Sequence, residues 1–373
     1  MSKKSFQIQD IILYPFSFIY GIGVWVRNRL FDYNILKSVE FKLPVISVGN
    51  ITVGGTGKTP HIEYLISLLK DEFKVAFLSR GYKRKTIGFK LADINSSSEE
   101  IGDEPRQIKQ KFRDIIVAVD GSRVRGINKI LEYNNQTKVI LLDDAFQHRY
   151  VTPGLSILLV EYNHPLKDDR ILPAGSLREP ASERHRADII IITKCPSDLK
   201  PIDQRLIEKD LKQHAYQKVY FSTLDYGQPK TVFEGSAPQI SKEEMKKRSP
   251  DILLITGIAN ALPFKAHIKN ISSKIEELDY PDHYAYTPRD MHNFIEKFST
   301  IDNPYKYIIT TEKDAMRIQA FDELDEEIKS ALYYIPIQIE FLENEIKNFN
   351  HQIQSYVRNN NPDSILYKEQ NKK

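Results

Sequence analysis

A glycine-rich segment that ends in a lysine and a threonine carries the clearest chemistry in this sequence. It follows the mainly apolar residues 45–48. Glycines let backbone N–H groups converge on phosphate oxygens, a lysine adds positive charge, and a threonine hydroxyl can bind Mg²⁺. The segment therefore predicts a site for a nucleotide triphosphate with Mg²⁺, formed by Thr52, Val53, Gly54, Gly55, Thr56, Gly57, Lys58 and Thr59.

Two adjacent carboxylates end another apolar run. Residues 139–142 precede Asp143 and Asp144, as expected where a P-loop protein holds Mg²⁺ from the end of a neighbouring strand. Adjacent residues of a strand point in different directions, so we expect Asp143 to bind the metal and Asp144 to be a second ligand or an orienting group. A turn or a helix cap is the alternative interpretation.

A kinase also needs a group that accepts or orients the proton of its acceptor hydroxyl. The segment 102–105 (GDEP) offers an acidic pair, and the segment 281–284 (PDHY) offers a histidine. An acidic pair before proline is also a common helix start, and a single histidine is often a surface or core residue. Spacing alone leaves both candidates open.

Basic residues cluster just after predicted strands, where the ligands of α/β proteins gather. We therefore expect some of them to contact an anion, although solvated surface charge is the simpler interpretation of any one cluster. The clusters contain Arg80, Lys83, Arg84 and Lys85; Arg123 and Arg125; and Arg178, Arg184 and Arg186.

A parallel sheet must position these residues, because short β-branched runs recur between polar helical stretches. Turn signals near residues 225–238 indicate a junction between two domains, and the second block contains no further phosphate loop. The predicted strands are 75–78, 115–119, 139–142, 157–160, 189–193 and 219–222, then 252–256, 307–310 and 333–339.

The composition is that of a chain able to form two globular domains. It has 373 residues, 41% of them hydrophobic, and a net charge of +3. This charge gives no global sign of nucleic-acid binding. Cys195 is the single cysteine, which excludes an intramolecular disulfide and a cysteine-rich metal site and favours a reducing compartment.

The N-terminal region suggests that a protein of this reducing compartment also contacts a membrane. Residues 11–26 carry no charge and include several aromatic residues. As a helix they would span ~24 Å, which is short against a hydrocarbon core of about 30 Å. A helix lying in the membrane interface is our preferred interpretation, and an apolar helix packed on the protein's own core is the alternative.

The base of the nucleotide is indicated by what the chain lacks. Guanine-specific P-loop proteins use Asn-Lys-x-Asp, and the segments 193–196 (TKCP) and 311–314 (TEKD) only approach that pattern. ATP is therefore favoured over GTP.

Taken together, the motifs closely resemble those of the tetraacyldisaccharide 4′-kinases, which phosphorylate a membrane-embedded lipid A precursor with ATP. The resemblance extends from the N-terminal apolar helix to about Arg317 and leaves the polar C-terminal tail unmatched. Its motifs occur in this order: VGNITVGGTGKTP at 48–60, LSRGY at 78–82, GDEP at 102–105, DDAFQH at 143–148, LPAGSLREP at 172–180, TGI at 256–258, PDHYAYT at 281–287 and TTEKDA at 310–315.

The resemblance implies roles that the residues alone left open. Asp103 is similar to the family's catalytic base or hydroxyl-orienting acid, with His283 from the second domain as its partner. Further implied roles are Mg²⁺ binding by Glu104, Asp143 and Asp144, contacts to nucleotide or transferring phosphate by Gln147 and Arg178, charge stabilisation by Lys58, and binding of the substrate's 1-phosphate by Arg80, Lys83 and Arg84.

The expected fold is α/β, with a P-loop NTPase-like parallel-sheet core and a second, smaller α/β domain joined to it by a two-stranded ribbon. An N-terminal membrane-associating helix precedes the core. The predicted boundaries are residues 1–30 for the helix, 31–223 for the kinase core, 224–245 for the ribbon, 246–357 for the second domain and 358–373 for a polar tail.

The expected activity is transfer of the γ-phosphate of ATP, with Mg²⁺, to the 4′-hydroxyl of a tetraacyldisaccharide 1-phosphate. The expected location is the cytoplasmic face of the inner membrane, with no nucleic acid and no obligate protein partner. The alternatives are a membrane-cycling P-loop ATPase switch and a nucleotide-binding structural adaptor. Val53 argues against the switch, because switch ATPases of this loop type keep a signature lysine there.

Overall fold

The structure, a computed structural model, describes residues 8–282, 284–321, 324–342 and 345–361. The chain divides into two compact units. Unit 1 contains Met1–Leu224 and Ile339–Lys373, and unit 2 contains Asp225–Gln338.

Strands and helices alternate through most of both units. The strands are β1 (Val45–Gly49), β2 (Val75–Ser79), β3 (Lys90–Leu91), β4 (Ile116–Val119), β5 (Val139–Asp143), β6 (Leu155–Glu161), β7 (Ile189–Thr193), β8 (Lys218–Tyr226), β9 (Lys230–Thr231), β10 (Asp251–Thr256), β11 (Lys274–Asp279), β12 (Lys306–Thr311), β13 (Leu332–Ile335) and β14 (Ile337–Phe341). The α-helices are α1 (Ile8–Asp32), α2 (Lys58–Leu69), α3 (Ser98–Ile101), α4 (Asp103–Lys111), α5 (Arg123–Tyr133), α6 (Pro201–Leu211), α7 (Lys242–Lys247), α8 (Leu262–Lys269), α9 (Pro288–Ser299), α10 (Glu312–Ile318), α11 (Glu326–Ala331) and α12 (Glu345–Asn360).

The larger sheet has, within the described residues, the strand order β14-β8-β7-β6-β1-β5-β2-β4-β3. The seven strands from β8 to β4 in this order pair in parallel, and β3 is antiparallel to β4. All five residues of β1, β2, β5 and β7 are buried, because helices cover both faces of the sheet and only apolar strands fit there. The carboxyl ends of β1, β5 and β2 consequently meet at one edge.

Unit 2 is built around a smaller sheet with the order β11-β10-β12-β13-β9 among the described strands. Its first three pairings are parallel, and β9 is antiparallel to β13. Apolar side chains of β10 and β12, including Leu253, Ile255 and Ile308, pack against α9 and α10. The predicted α/β class and parallel core are confirmed.

The predicted boundaries of the second domain and the ribbon are wrong at the C-terminal side. The segment 333–339 forms two strands, and the second of them, β14, joins the larger sheet beside β8. Helix α12 then belongs to unit 1, because Phe349, Ile353 and Val357 pack into the core that contains Ile46 and Val48 of β1. The two strands that cross the unit boundary are therefore β8 and β14, whereas the predicted ribbon lay within 224–245.

Helix α1 is longer than the uncharged segment that predicted it. One side is buried in unit 1, where Ser17, Asn28 and Phe31 are each less than 10% exposed. Its other side leaves large apolar residues in solvent. In the described part of the chain, no helix combines the length and hydropathy needed to cross a bilayer. The exposed apolar residues of this side are Tyr14, Phe16, Phe18, Ile19, Ile22, Trp25 and Val26, and Tyr20, 40% exposed, lies at the border between the two sides.

Candidate active site

The glycine-rich loop connects β1 to α2 as the sequence predicts. Gly54 (φ 112°) and Gly57 (φ 89°) lie in the left-handed region, which residues with a Cβ rarely adopt. Helix α2 begins at Lys58, and no side chain caps its N-terminus. Its first N–H groups are therefore available to an anion, and the partial positive charge of the helix end favours one.

Side chains behind the loop hold two of its carbonyl groups. The Thr193 hydroxyl donates a hydrogen bond to the Thr56 carbonyl (2.9 Å). The His61 Nδ1 lies 2.7 Å from the Gly57 carbonyl, and its Nε2 lies 3.1 Å from the Ser222 hydroxyl. Burial lowers the pKa of His61 to about 4, against the opposing effect of the Gly57 hydrogen bond, so the ring is neutral and donates from Nδ1. These bonds hold the Thr56 and Gly57 carbonyls away from a bound anion. The Val53 and Thr56 N–H groups are bonded to the Ser176 and Gly54 carbonyls, so the N–H groups at the start of α2 are the ones offered to a ligand.

The end of the loop carries a cluster of opposite charges. The Lys58 ammonium lies 3.2 Å from the Asn50 side-chain oxygen and 3.5 Å from an Asp144 carboxylate oxygen. The Arg178 guanidinium contacts both Asp144 oxygens, at 3.0 and 3.1 Å, and the Gln147 amide oxygen at 3.5 Å. Gln147 in turn donates to the Asn50 carbonyl (2.8 Å). Lys58, Asp144, Gln147 and Arg178, predicted as site residues from distant segments, thus lie together.

Backbone pairing brings Arg178 to this position. The Val53 N–H donates to the Ser176 carbonyl (2.8 Å), and the Arg178 N–H donates to the Ile51 carbonyl (2.7 Å). Thr52 also forms an antiparallel bridge with the residue before Arg178. The segment 176–178 is therefore fixed beside the start of the phosphate loop.

The two adjacent aspartates have opposite electrostatic environments. Burial, with the negative charges of Asp144 and Glu104, raises the pKa of Asp143 to about 6, although Lys58 and a hydrogen bond from Ser79 (2.9 Å) oppose the shift. Burial alone would also raise the pKa of Asp144, but the positive charges of Lys58 and Arg178 reverse the effect and lower it. Lys58 and Arg178 therefore balance the negative charge of Asp144, whereas the negative charge of Asp143 has too little positive charge near it.

The predicted basic pair Arg123 and Arg125 has a structural role at this edge of the sheet. Arg123 is buried and donates to the carbonyls of Asp120 (2.7 Å) and Asp143 (2.9 Å). Burial lowers its pKa to about 10, which leaves it charged at neutral pH. Arg125 forms a two-pronged pair with the Asp120 carboxylate. Arg123 thus fixes the main chain from which Asp143 projects, and Arg125 holds the Asp120 side chain.

Part of the predicted metal set shares one cleft. Thr59, Glu104 and Asp143 line it together, whereas the Asp144 carboxylate faces Lys58 and Arg178. Within the described ranges, no three Asp, Glu, His or Cys side chains are grouped so that they could hold a metal by themselves. Such a cage is unnecessary for Mg²⁺, which usually takes one or two protein oxygens together with phosphate and water oxygens. The Thr59 hydroxyl and the Glu104 and Asp143 carboxylates supply oxygens of that kind, but the gap that they line is too narrow for a water molecule, so it must widen to admit the ion.

The structure describes one of the two predicted proton-handling residues, Asp103. Asp103 begins α4, next to Gly102, whose φ of 94° again requires glycine. The Asp103 charge acts on Arg106 and opposes the lowering of its pKa that burial causes. His283 lies outside the described residues.

The three basic residues predicted to bind a substrate phosphate behave differently from one another. Arg80 and Lys83 are exposed, and the Lys83 ammonium lies 5.7 Å from the centre of the Tyr82 ring. Arg84 is partly buried, and its guanidinium donates to the Gly88 carbonyl (2.6 Å). The Arg84 side chain therefore holds its own loop together.

Sequence reasoning missed several residues that shape the site. Asn50, Ser79, Thr193 and Ser222 are polar residues in or just after apolar strands, and His61 lies one turn into α2. A polar residue at the carboxyl end of a parallel strand was the available signal for Asn50, Ser79 and Thr193. Nothing in the sequence indicates that His61 faces the loop rather than the helix-packing core.

Proteins of one known family are similar to this chain over nearly its whole length. The family model described as tetraacyldisaccharide-1-P 4′-kinase matches residues 9–358. A tetraacyldisaccharide 4′-kinase of Bacteroides fragilis is 49% identical over 368 residues, which covers 98% of each chain. One from Phocaeicola vulgatus is 48% identical, covering 94% of this chain and 96% of its own.

A solved structure is also similar. The crystal structure of LpxK from Aquifex aeolicus, described as an "apo" form in complex with ATP, superposes with a TM-score of 0.74 at 29% identity. It covers 94% of this chain and all of the Aquifex chain. By the extent of these matches, the chain belongs to the tetraacyldisaccharide-1-phosphate 4′-kinase family.

Proposed function

We propose that this chain transfers the γ-phosphate of ATP to the 4′-hydroxyl of a tetraacyldisaccharide 1-phosphate, the lipid A precursor. The observation that carries the proposal is the convergence of Lys58, Asp144, Gln147 and Arg178 at the phosphate loop. This cluster occurs in a chain that matches the 4′-kinase family over nearly its whole length. The same matches favour a kinase over the ATPase switch.

In this mechanism, the main-chain N–H groups at the start of α2 bind the phosphates of ATP. Lys58 and Arg178 both contact the Asp144 carboxylate and stabilise negative charge on the transferring phosphoryl group. Gln147 contacts Arg178 and limits where its guanidinium can lie. Asp144 keeps both cations in place before the nucleotide binds.

Mg²⁺ is the second proposed cofactor, with Thr59, Asp143 and Glu104 as the residues that would hold it and Asp144 nearby. Bound by these residues, the ion would supply positive charge that offsets the negative charge developing on the transferring phosphoryl group. The raised pKa of Asp143 supports this assignment, because nearby carboxylates with too little positive charge favour a divalent cation.

Asp103 is the proposed base, with His283 as its partner according to the family motif. The 4′-oxygen forms a new bond to the γ-phosphorus as the bond between that phosphorus and the β,γ-bridging oxygen breaks. The hydroxyl proton passes to Asp103, and ADP leaves with the bridging oxygen. Asp103→Asn should therefore lower kcat by at least 100-fold, measured with saturating ATP and acceptor, while ATP binding persists.

The acceptor carries acyl chains, so the enzyme must reach a lipid surface. Helix α1 presents Phe16, Phe18, Ile19 and Trp25 to solvent, each more than half exposed. An exposed aromatic and aliphatic surface of this kind suits the membrane interface. We therefore place the enzyme at the cytoplasmic face of the inner membrane, attached through α1 without crossing the bilayer. The exposed Arg80 and Lys83 are the better candidates for the 1-phosphate of the substrate.

The test is transfer of radiolabelled γ-phosphate from Mg·ATP to detergent-dispersed tetraacyldisaccharide 1-phosphate. Wild type should label the lipid, and Lys58→Ala should abolish labelling. Lys70→Ala is the matched control, because Lys70 follows the same helix and contacts only the neighbouring Asp71 among the pairs described. Hydrolysis of ATP without labelled lipid in the wild type would favour the ATPase switch. Tight ATP binding without either reaction would favour the structural adaptor.

A further inference from the structure

Helix α1 forms hydrogen bonds to the main chain of two active-site residues. The Tyr20 hydroxyl donates to the Arg178 carbonyl (3.0 Å). The Arg27 guanidinium donates to the Gln147 carbonyl (2.6 Å). Both contacts join residues more than a hundred positions apart, and both acceptors belong to the cluster around Asp144.

Other contacts dock the same helix on the same two loops. The Ser17 hydroxyl accepts a hydrogen bond from the Ala174 N–H (2.8 Å), in the loop that leads to Arg178. Arg149, two residues after Gln147, donates to the Asn28 carbonyl (2.9 Å) and pairs with Asp32 (2.7 Å). The inner side of α1 is therefore fixed to both loops along most of its described length.

The main-chain contacts bear directly on the side chain of Arg178. Its N–H is bound to the Ile51 carbonyl and its own carbonyl is bound to Tyr20. The peptide groups on both sides of its Cα are thus held, which fixes the direction in which the guanidinium extends toward Asp144. Catalytic groups lose rate when their support allows small displacements.

Gln147 is held in a similar way. Its carbonyl is bound by Arg27, and its side-chain amide donates to the Asn50 carbonyl. Arg27 is itself oriented by the buried Glu179 carboxylate, 3.8 Å away. The contact from α1 thus fixes the main chain of Gln147, whose side-chain amide oxygen faces Arg178.

We propose that Tyr20 and Arg27 are positioning residues for phosphoryl transfer, which set the main chain at Arg178 and Gln147. The inference rests on the proposed kinase function and deepens it. Helix α1 then has two tasks on its two sides: the outer side meets lipid, and the inner side completes the support of the active site. The same helix α1 thus binds the lipid surface and orders the catalytic Arg178.

The test compares Tyr20→Phe and Arg27→Gln with wild type in the labelled-phosphate assay. Tyr20→Phe removes the hydroxyl that donates to the Arg178 carbonyl, and Arg27→Gln removes the guanidinium that donates to the Gln147 carbonyl together with its ion pair to Glu179. Each variant should lower kcat about threefold to tenfold, with the KM for the lipid acceptor within about twofold of wild type. The matched controls are Tyr33→Phe, a tyrosine that is 71% exposed, and Arg205→Gln, an exposed arginine on α6. Both controls should keep the wild-type kcat.

A double-mutant cycle identifies the residue through which Tyr20 acts. If Tyr20 positions Arg178, Tyr20→Phe should cause no further loss of kcat in an Arg178→Ala background. Equal losses in both backgrounds would overturn the proposal, as would an effect confined to the acceptor KM, which is expected of a helix that only anchors. Wild-type transfer is measured first, and its absence would refute the kinase function itself. Normal wild-type transfer with unchanged kcat in both variants would refute only the positioning role.

Discussion

At the scale of single residues, the two adjacent aspartates show how neighbours in sequence acquire opposite properties. Asp143 is the last residue of β5 and is buried, whereas Asp144 adopts a left-handed conformation (φ 44°) that turns its carboxylate toward Lys58 and Arg178. The sequence indicated two carboxylates with different directions. It could not indicate which one would receive the compensating cations, because these come from other strands and loops.

This difference predicts opposite effects on stability. The folded-state pKa of Asp143 is about 6, against 3.8 as the ordinary value, so between these pH values the folded state binds more protons than the unfolded state. The free energy of unfolding therefore falls as pH rises through this window, and above it the charged group costs on the order of 3 kcal/mol. Without Mg²⁺, Asp143→Asn should raise the Tm at pH 8, and the gain should shrink at pH 5, while kinase activity is lost.

Asp144→Asn is the matched comparison. The pKa of Asp144 is lowered, so its charged form stabilises the fold at both pH 8 and pH 5, and this contribution is lost only as pH falls below the ordinary value of 3.8. The substitution should lower the Tm at pH 8 because Lys58 and Arg178 lose their shared partner. Thermal unfolding in EDTA at both pH values measures the two effects. Equal Tm changes of the same sign in the two variants would contradict this electrostatic account.

At the scale of elements, the phosphate loop depends on strands and helices that hold it from behind. His61 of α2 and Ser222 of β8 secure the Gly57 carbonyl, and Thr193 of β7 secures the neighbouring one. If that support released the Gly57 carbonyl, the loop could turn it toward the phosphates and repel them. The precision of the loop is therefore a property of three elements and not of the glycine motif alone.

Replacement of His61 separates this hydrogen bond from packing. His61→Asn keeps an N–H donor near the position of Nδ1, whereas His61→Leu keeps the volume without a donor. The leucine variant should raise the KM for ATP about twofold to tenfold, the equivalent of one lost hydrogen bond, and the asparagine variant should stay near wild type. Steady-state kinetics with saturating acceptor measure the difference. A similar KM in both variants would mean that His61 only fills space.

The sequence predicted the features that depend on local residues and missed those that depend on contacts between distant segments. Strands buried on both faces, such as β5 and β7, were located from their apolar runs because burial leaves no other composition. The edge strand β11 was missed, since four of the six residues of Lys274–Asp279 are charged and its Glu276 and Glu277 pair with lysines of neighbouring helices. Likewise, the P-loop and the aspartates could be predicted from local motifs, whereas the support from His61 and Tyr20 depends on contacts between distant segments.

At the scale of the whole molecule, the C-terminal segment completes the unit that binds the nucleotide. Chain order suggested a kinase core that ends near residue 223, but β14 and α12 return to it after unit 2. Phe349 and Ile353 are almost fully buried in the same cluster as Ile46 and Val48, which lead into the phosphate loop. Unit 1 is therefore formed from both ends of the chain, and a fragment that stops at residue 224 lacks part of its core.

Ile353→Ala tests this dependence far from the nucleotide site. Removal of a fully buried isoleucine side chain should lower the free energy of unfolding by ~2–5 kcal/mol, with the kcat unchanged at temperatures where the enzyme stays folded. His351→Ala is the control, because His351 is exposed on the same helix and should change stability by less than ~0.5 kcal/mol. Denaturant unfolding monitors both. If Ile353→Ala were as stable as His351→Ala, helix α12 would be an appendage of unit 1, and a core formed by residues before 224 would be sufficient to build the phosphate-binding site.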